Sequence, residues 1–235
     1  MYKLVVFDLD GTLTQHRSKL GEKNRAVLEK LNTKYKLLML GAGGCLRIYG
    51  QMNEFPIDIL GNYGLQESVM QGGTAVVVRN DSYAVDQDYF NRTCATLRQK
   101  YGYTEFKGEH MEFHASGMVT FPLLGTKADI ADKVAFDPDR KKRAVMYSEV
   151  CSLFPDFSVF IGGSSSFDFV KTEYNKYNAL MRYASEHDYD KSEIIFVGDD
   201  FGDGGGDSHI RLGGLDYVFI DDYTHLEEKL EFLLK

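Results

Sequence analysis

Residues 3–14, Lys3-Leu4-Val5-Val6-Phe7-Asp8-Leu9-Asp10-Gly11-Thr12-Leu13-Thr14, decide how the rest of the chain is read. The run from Lys3 to Phe7 is apolar, rich in β-branched residues and ended by Asp and Gly, which predicts a strand buried on both faces. Asp8 and Asp10 follow two apart at its C-terminal end, so the period-2 alternation sends both carboxylates to one face. In an open α/β sheet that edge is where ligands bind. Gly11 lets the chain turn away, and Thr12 brings a hydroxyl and a backbone N–H to the same spot. Crowded carboxylates drive their pKa values apart, so one can be an ionised nucleophile while its neighbour holds a proton to donate.

Outward from this strand the rhythm is strand–helix–strand. Ser18 is placed to cap a helix over about Glu22 to Lys34, with Val27, Leu28 and Leu31 at helical spacing, and Lys36 to Leu40 reads as a second buried strand. Ile57 to Leu60 is a third, and Val69 to Val78 breaks at Gly72-Gly73 into a hairpin. Beyond Asn80-Asp81 the pattern becomes a long helix (Val85 to Tyr101), short strands within His110 to Phe121, and helices from Lys127 to Phe154. The αβ rhythm returns after Lys171, with a helix near Lys176 to His187, strands Ile194 to Val197 and Tyr217 to Ile220, and a last helix from Tyr223. We therefore expect a doubly wound, mostly parallel α/β core, residues 1–81 and 172–235, interrupted by an α+β domain at 82–171.

A second set of polar residues sits far down the chain. Lys176 opens a helix, Gly198-Asp199-Asp200 ends a buried strand, and the next loop carries Asp203 and Asp207. Oxygen-only ligands at strand ends suit Mg²⁺. A phosphate dianion approaching ionised Asp8 and Asp199 would be opposed by about 4 kcal/mol from each at about 4 Å and an effective dielectric near 20. A cation and Lys176 reverse that sign and fix phosphorus in line with an Asp8 oxygen, which predicts phosphoryl transfer through an aspartyl-phosphate.

Composition narrows the partners. The 235 residues carry 27 Lys+Arg against 35 Asp+Glu, a net charge of −8 without a basic patch, which argues against nucleic acid. The one basic run, Arg140-Lys141-Lys142-Arg143, reads as a solvated helix face. No apolar run approaches the roughly 20 residues that span a bilayer. Cys45, Cys94 and Cys151, odd in number and without a CxxC, suit reduced thiols, and the expectation is a soluble cytoplasmic protein.

Through Asp8-Leu9-Asp10-Gly11-Thr12, Asn175-Lys176 and Gly198-Asp199-Asp200, in that order, the chain resembles the haloacid dehalogenase superfamily of phosphotransferases. The resemblance implies Asp8 as nucleophile, Asp10 as general acid/base, and Mg²⁺ held by the Asp8 carboxylate, the Asp10 backbone carbonyl and Asp199, with Asp207, or Asp203 in its stead, as helper. Within the superfamily the chain looks most like eukaryotic-type phosphomannomutases. The parts that match are residues 7–14, Glu112-Phe113 with Gly117-Met118, Ile161-Gly162-Gly163 with Ser166-Phe167-Asp168, and Gly205-Gly206-Asp207 before Ile210. That likeness implies a cap domain over the active site, with Ser166 and Asp168 facing a sugar, and a homodimer formed through the cap. Asp168 is otherwise a solvated strand residue.

Three departures from that family matter. Where it carries a phosphate-binding Ser or Thr, this chain has Gly41-Ala42-Gly43-Gly44-Cys45, in which a glycine nest around Gly43 replaces the hydroxyl or the segment is a plain tight turn. The arginines that grip the distal phosphate are matched by Lys107, His114 and Thr126, which lack the bidentate fork. A looser grip from the cap exposes the aspartyl-phosphate to water. The sequence thus predicts an Mg²⁺-dependent phosphohydrolase of a small phosphorylated metabolite, with a hexose-phosphate mutase as the alternative and a weakly catalytic sugar-phosphate sensor as a third.

Overall fold

Strand β1 (Leu4–Phe7) is buried along its whole length, and its side chains alternate between two hydrophobic clusters, Val5 and Phe7 in one, Leu4 and Val6 in the other. A strand with apolar partners on both faces must lie inside a sheet covered by helices on both sides. The computed structural model describes all 235 residues and has that arrangement. From β1 the chain passes through α1 (Glu22–Asn32) to β2 (Lys36–Leu40), through α2 (Cys45–Gln51) to β3 (Asp58–Gly61), and into the hairpin β4 (Gln66–Gln71) and β5 (Thr74–Asn80). An inserted stretch contributes α3 (Gln87–Tyr101), β6 (Glu112–Phe113), β7 (Val119–Pro122), α4 (Ile130–Phe136), α5 (Lys141–Leu153), β8 (Phe157–Phe160) and β9 (Ser166–Lys171). The return comprises α6 (Lys176–Glu186), β10 (Ile194–Gly198), α7 (Ser208–Leu212), β11 (Asp216–Phe219), α8 (Leu226–Lys229) and α9 (Glu231–Leu234).

The seven-stranded sheet runs β11-β10-β1-β2-β3-β4-β5, with the first five strands parallel and the last two antiparallel. Val27, Leu28 and Leu31 of α1, Ile48 of α2 and Leu226, Leu230 and Leu233 near the C-terminus cover the face of Val5 and Phe7. Ala179, Leu180 and Tyr183 of α6 and Ile210 of α7 cover the other. The expected doubly wound α/β class is therefore what the chain adopts. Phe7 lies level with Met39 of β2 and Val197 of β10, and the chain leaves β1 toward β2 and β3 on one side and fills β10 and β11 on the other. The topological switch point is thus at the C-terminal end of β1. In the hairpin, Gly72 (φ 58°) and Gly73 (φ 86°) supply the paired positive φ of a type I′ turn.

The chain divides into two compact units, Met1–Asp81 with Tyr174–Asp203 and Asp207–Lys235, and Ser82–Glu173 with Gly204–Gly206. In the second, the antiparallel sheet β6-β7-β9-β8 packs Val119, Phe121, Phe167 and Phe169 against Phe90 and Leu97 of α3, Met146 and Val150 of α5, and Phe154. The Phe90 and Phe154 rings stack at 4.6 Å. Asp86 caps α3, its side chain accepting from the Tyr89 N–H.

Two local expectations are corrected. Ser18 does not cap α1: its hydroxyl donates to the Gln15 carbonyl in a turn, and the capping position falls to Gly21, which has no side chain to offer. The basic run is not a solvated face throughout. Lys141 is exposed, but Arg143 is 1% exposed, because its guanidinium donates to Asp137 Oδ2 (2.8 Å) and to the carbonyls of Gly162 (2.8 Å) and Ser166 (3.1 Å). Asp137 also accepts the N–H groups of Lys142 and Arg143, so the helix start and the buried charge stabilise each other. No helix is long and apolar enough to cross a membrane. We expect Arg143→Ala to cost about 3–5 kcal/mol in urea denaturation, since it strands a buried carboxylate, whereas Lys141→Ala changes stability by less than about 1 kcal/mol.

Candidate active site

The ladder of β1 extends one residue past the strand, the Asp8 N–H donating to the Val197 carbonyl at 2.9 Å, so the Asp8 side chain is fixed at the sheet edge. Beyond it the backbone folds over itself: the N–H groups of Leu13 and Thr14 donate to the Leu9 carbonyl, and that of Gly11 to the Thr14 carbonyl. Gly11 turns at φ 94°, and a Cβ there would overlap the Asp199 carboxylate. Only glycine meets both conditions. Thr12 is buried, and its hydroxyl donates to Asp199 Oδ1 at 2.9 Å.

From the opposite direction, Asn175 caps α6 by accepting from the Asn178 N–H (2.9 Å), which sets Lys176 as the first helical residue. The Lys176 side chain is 4% exposed and its ammonium donates to Asp8 Oδ1 and Asp207 Oδ1, each at 2.6 Å. Asp207 is fully buried and accepts the Asp200 N–H on its other oxygen (3.0 Å). Carboxylate oxygens of Asp8, Asp199 and Asp207 lie within 4.8 Å of one another.

Three carboxylates and one ammonium out of water set the electrostatics. Burial pushes the Asp8 carboxyl well above its ordinary range; the Lys176 ammonium opposes this, and the charges of Asp207 and Asp199 reinforce it. Burial and the neighbouring Asp207 push Asp199 up to about 6. Burial works against the charge on Lys176, but Asp207 and Asp8 outweigh it and raise its pKa. A cluster of like charges that destabilise one another, with oxygen donors only, could hold a hard divalent cation, which would relieve that repulsion.

The carboxylate that crowds Asp8 is not Asp10, as strand alternation implied. Regular strand geometry ends at Phe7, and Asp10 is not in the carboxylate cluster; its Oδ1 accepts from Gln51 Nε2 (2.6 Å) and the Arg17 N–H (2.7 Å). Of the two acidic-loop residues, Asp207 joins the cluster, while the Asp203 side chain is 94% exposed and pairs with Arg211. Near Gly43, none of Gly41, Gly43 and Gly44 has a positive φ, so the loop does not form a nest of alternating hand. In the second unit, the Ser166 hydroxyl donates to the Gly162 carbonyl (3.0 Å), and half-buried Asp168 accepts from Thr120 Oγ1 (2.8 Å), its pKa raised by burial. Gln51 escaped sequence reasoning. Its position one turn after Arg47, on a short helix that follows the second strand, was the available signal.

A model of the haloacid dehalogenase-like hydrolases matches residues 73–204. The phosphomannomutase of Saccharomyces cerevisiae is 26% identical over 233 residues, covering 94% of this chain and 86% of that protein. Among solved structures, an N-terminally truncated IMP-nucleotidase of Plasmodium falciparum superposes with a TM-score of 0.69 at 13% identity, over 99% of this chain and 70% of that one. A haloacid dehalogenase-like hydrolase of Bacteroides thetaiotaomicron gives 0.59 at 18% identity, over 99% and 100%. With more than half of its length matched to one family model, this chain belongs to the haloacid dehalogenase-like hydrolases and is a phosphatase or phosphotransferase.

Proposed function

We propose that the protein is an Mg²⁺-dependent phosphohydrolase of a small phosphorylated metabolite, above all a sugar phosphate, working through an aspartyl-phosphate on Asp8. The observation that carries this reading is the buried ammonium of Lys176, 2.6 Å from Asp8 and from Asp207. A lysine so placed opposes the rise that burial imposes on the Asp8 carboxyl and cancels charge that would repel a phosphate. The residues fit the cation that this family generally uses: Asp8, Asp199 and Asp207 with their carboxylates and Asp10 with its backbone carbonyl would hold it. When bound it would supply the positive charge that lets an anionic substrate approach.

In the proposed first step an Asp8 oxygen attacks phosphorus and the ester P–O bond breaks. Asp10 gives its proton to the departing alkoxide. In the second, the Asp10 carboxylate takes a proton from water as that water attacks the acyl phosphate, releasing inorganic phosphate and restoring Asp8. Gln51 and the Arg17 N–H, both on Asp10 Oδ1, keep that carboxyl in one orientation. Gly11, Thr12 and Gly43 would line the phosphate, and Ser166 and Asp168 would meet sugar hydroxyls.

Hydrolysis is preferred to mutase chemistry because the residues matched to the distal-phosphate arginines are engaged otherwise. Lys107 pairs with Asp129 at 2.6 Å, the Thr126 hydroxyl accepts the Glu109 N–H, and the His114 ring lies 3.1 Å from the Thr120 hydroxyl. The likeness to phosphomannomutases makes a hexose-phosphate mutase the second reading. A screen of phosphorylated metabolites with Mg²⁺, scored for free phosphate and for isomerised product, decides. Stoichiometric phosphate is expected; isomer conversion stimulated by a hexose bisphosphate would replace hydrolase by mutase, and activity confined to nucleotides or phosphoserine would defeat the sugar assignment.

Asp8→Asn is expected to lower turnover by more than about 10³-fold while leaving circular dichroism unchanged. A pH dependence of stability follows from the raised carboxyls. Asp8 and Asp199 bind more protons folded than unfolded, so metal-free stability falls as pH rises from about 4, the ordinary carboxyl value, through the value of about 6 for Asp199. Saturating Mg²⁺ should therefore raise Tm more at pH 7 than at pH 5 in thermal melts, and Asp199→Asn should shrink that difference.

A further inference from the structure

The site gathers three carboxylates around one ammonium, and the loop after β2 lacks the hydroxyl that would touch a phosphate there. A positive group that no comparison assigns stands beside that loop. Arg47 and Gln51 lie one helical turn apart on α2, and Arg47 Nη1 donates to Gln51 Oε1 at 3.1 Å. Gln51 is buried, and its Nε2 donates to Asp10 Oδ1 at 2.6 Å and to the Thr14 hydroxyl at 3.3 Å. The guanidinium is thus two hydrogen bonds from the Asp10 carboxyl.

Gly43 explains how the arginine fits. Its φ is not positive, so the backbone does not require glycine for its own conformation. A Cβ built on it, however, would overlap Nη2, Cζ and Nε of Arg47. The missing side chain is the seat of the guanidinium. Arg47 as a whole is exposed, and a planar, permanently charged fork is the side chain best matched to phosphate oxygens.

We infer that Arg47 grips the transferring phosphate in place of the absent hydroxyl, with Gly43 admitting the guanidinium and Gln51 holding it. The inference rests on the phosphohydrolase reading and names the phosphate ligand of that same site. Gln51 is the positioning residue: one side-chain amide orients both the phosphate grip and Asp10.

The test uses the full chain with Mg²⁺ and a sugar phosphate that it hydrolyses. Arg47→Ala should raise KM, and the inhibition constant of inorganic phosphate, by about 10- to 100-fold with a much smaller change in kcat. Arg47→Lys should recover part of that loss. Gly43→Ala, which displaces the far end of a flexible side chain, should raise KM in the unsubstituted protein and add nothing in the Arg47→Ala background. Gln51→Leu should raise KM and lower kcat together. Leu46→Ala, an exposed neighbour on the same helix, should change neither. If phosphate were instead bound by the loop backbone, Gly43→Ala would cost affinity in both backgrounds and Arg47→Ala would leave KM unchanged, which overturns the inference. Calorimetric titration of inorganic phosphate into Asp8→Asn protein needs no turnover. A Kd unaffected by Arg47→Ala there overturns the role of Arg47 even where hydrolysis is found, whereas a Kd weakened by it, in a protein that hydrolyses no phosphate ester, overturns the hydrolase reading alone.

Discussion

Everything at the candidate site turns on one ammonium shared by two carboxylates inside the protein. Lys176 holds Asp8 and Asp207 at equal distance, with Asp199 close by, and its charge offsets part of the cost of taking those carboxylates out of water. The fold exists in the form it does to make that meeting possible. β1 and β10 are neighbours in register, so Asp8 and Asp199 leave the sheet side by side, and an asparagine cap turns α6 so that its first residue points its side chain back at them. The remaining charge imbalance is what a cation and an anionic substrate would resolve together.

The surrounding glycines follow from the same crowding. Gly11 makes room for Asp199, Gly198 for Asp207 and Gly43 for Arg47, in each case because a charged side chain lies directly on the backbone. Only Gly11 is also turned into the left-handed region. At Gly43 and Gly198, glycine therefore reports where polar groups converge rather than where the chain must bend.

Much of this was legible in the sequence because it depended on short-range pattern. The apolar run before Asp8, the Gly72-Gly73 turn and the strand ending in Gly198-Asp199 are local signals, and each formed where its pattern put it. The illegible parts were decided by partners distant in the chain. Arg143 looked like one more residue of a basic face because nothing nearby announces the carbonyls of Gly162 and Ser166 that it reaches. Asp10 looked like a twin of Asp8 because alternation was extended past the last strand residue, where the loop had already changed direction. Gln51, which receives Asp10, is 41 positions away, and the Ser18 hydroxyl, placed to look like a cap, is spent on the nearer Gln15 carbonyl.

The sheet order carries a consequence for biosynthesis. β1 is the first of these strands to be made yet sits in the middle of the five parallel ones, and one of its two neighbours, β10, emerges nearly 190 residues later. At about 5–20 residues per second on the ribosome, one edge of the central strand goes without its partner for roughly 10–40 s. During that interval Leu4 to Phe7 offer an apolar, unpaired strand edge, the kind of surface on which nascent chains associate and chaperones act. The ionised Asp8 beside it stays hydrated until Lys176 arrives, so the same late segment that completes the sheet also brings the positive charge that offsets the cost of enclosing the carboxylate.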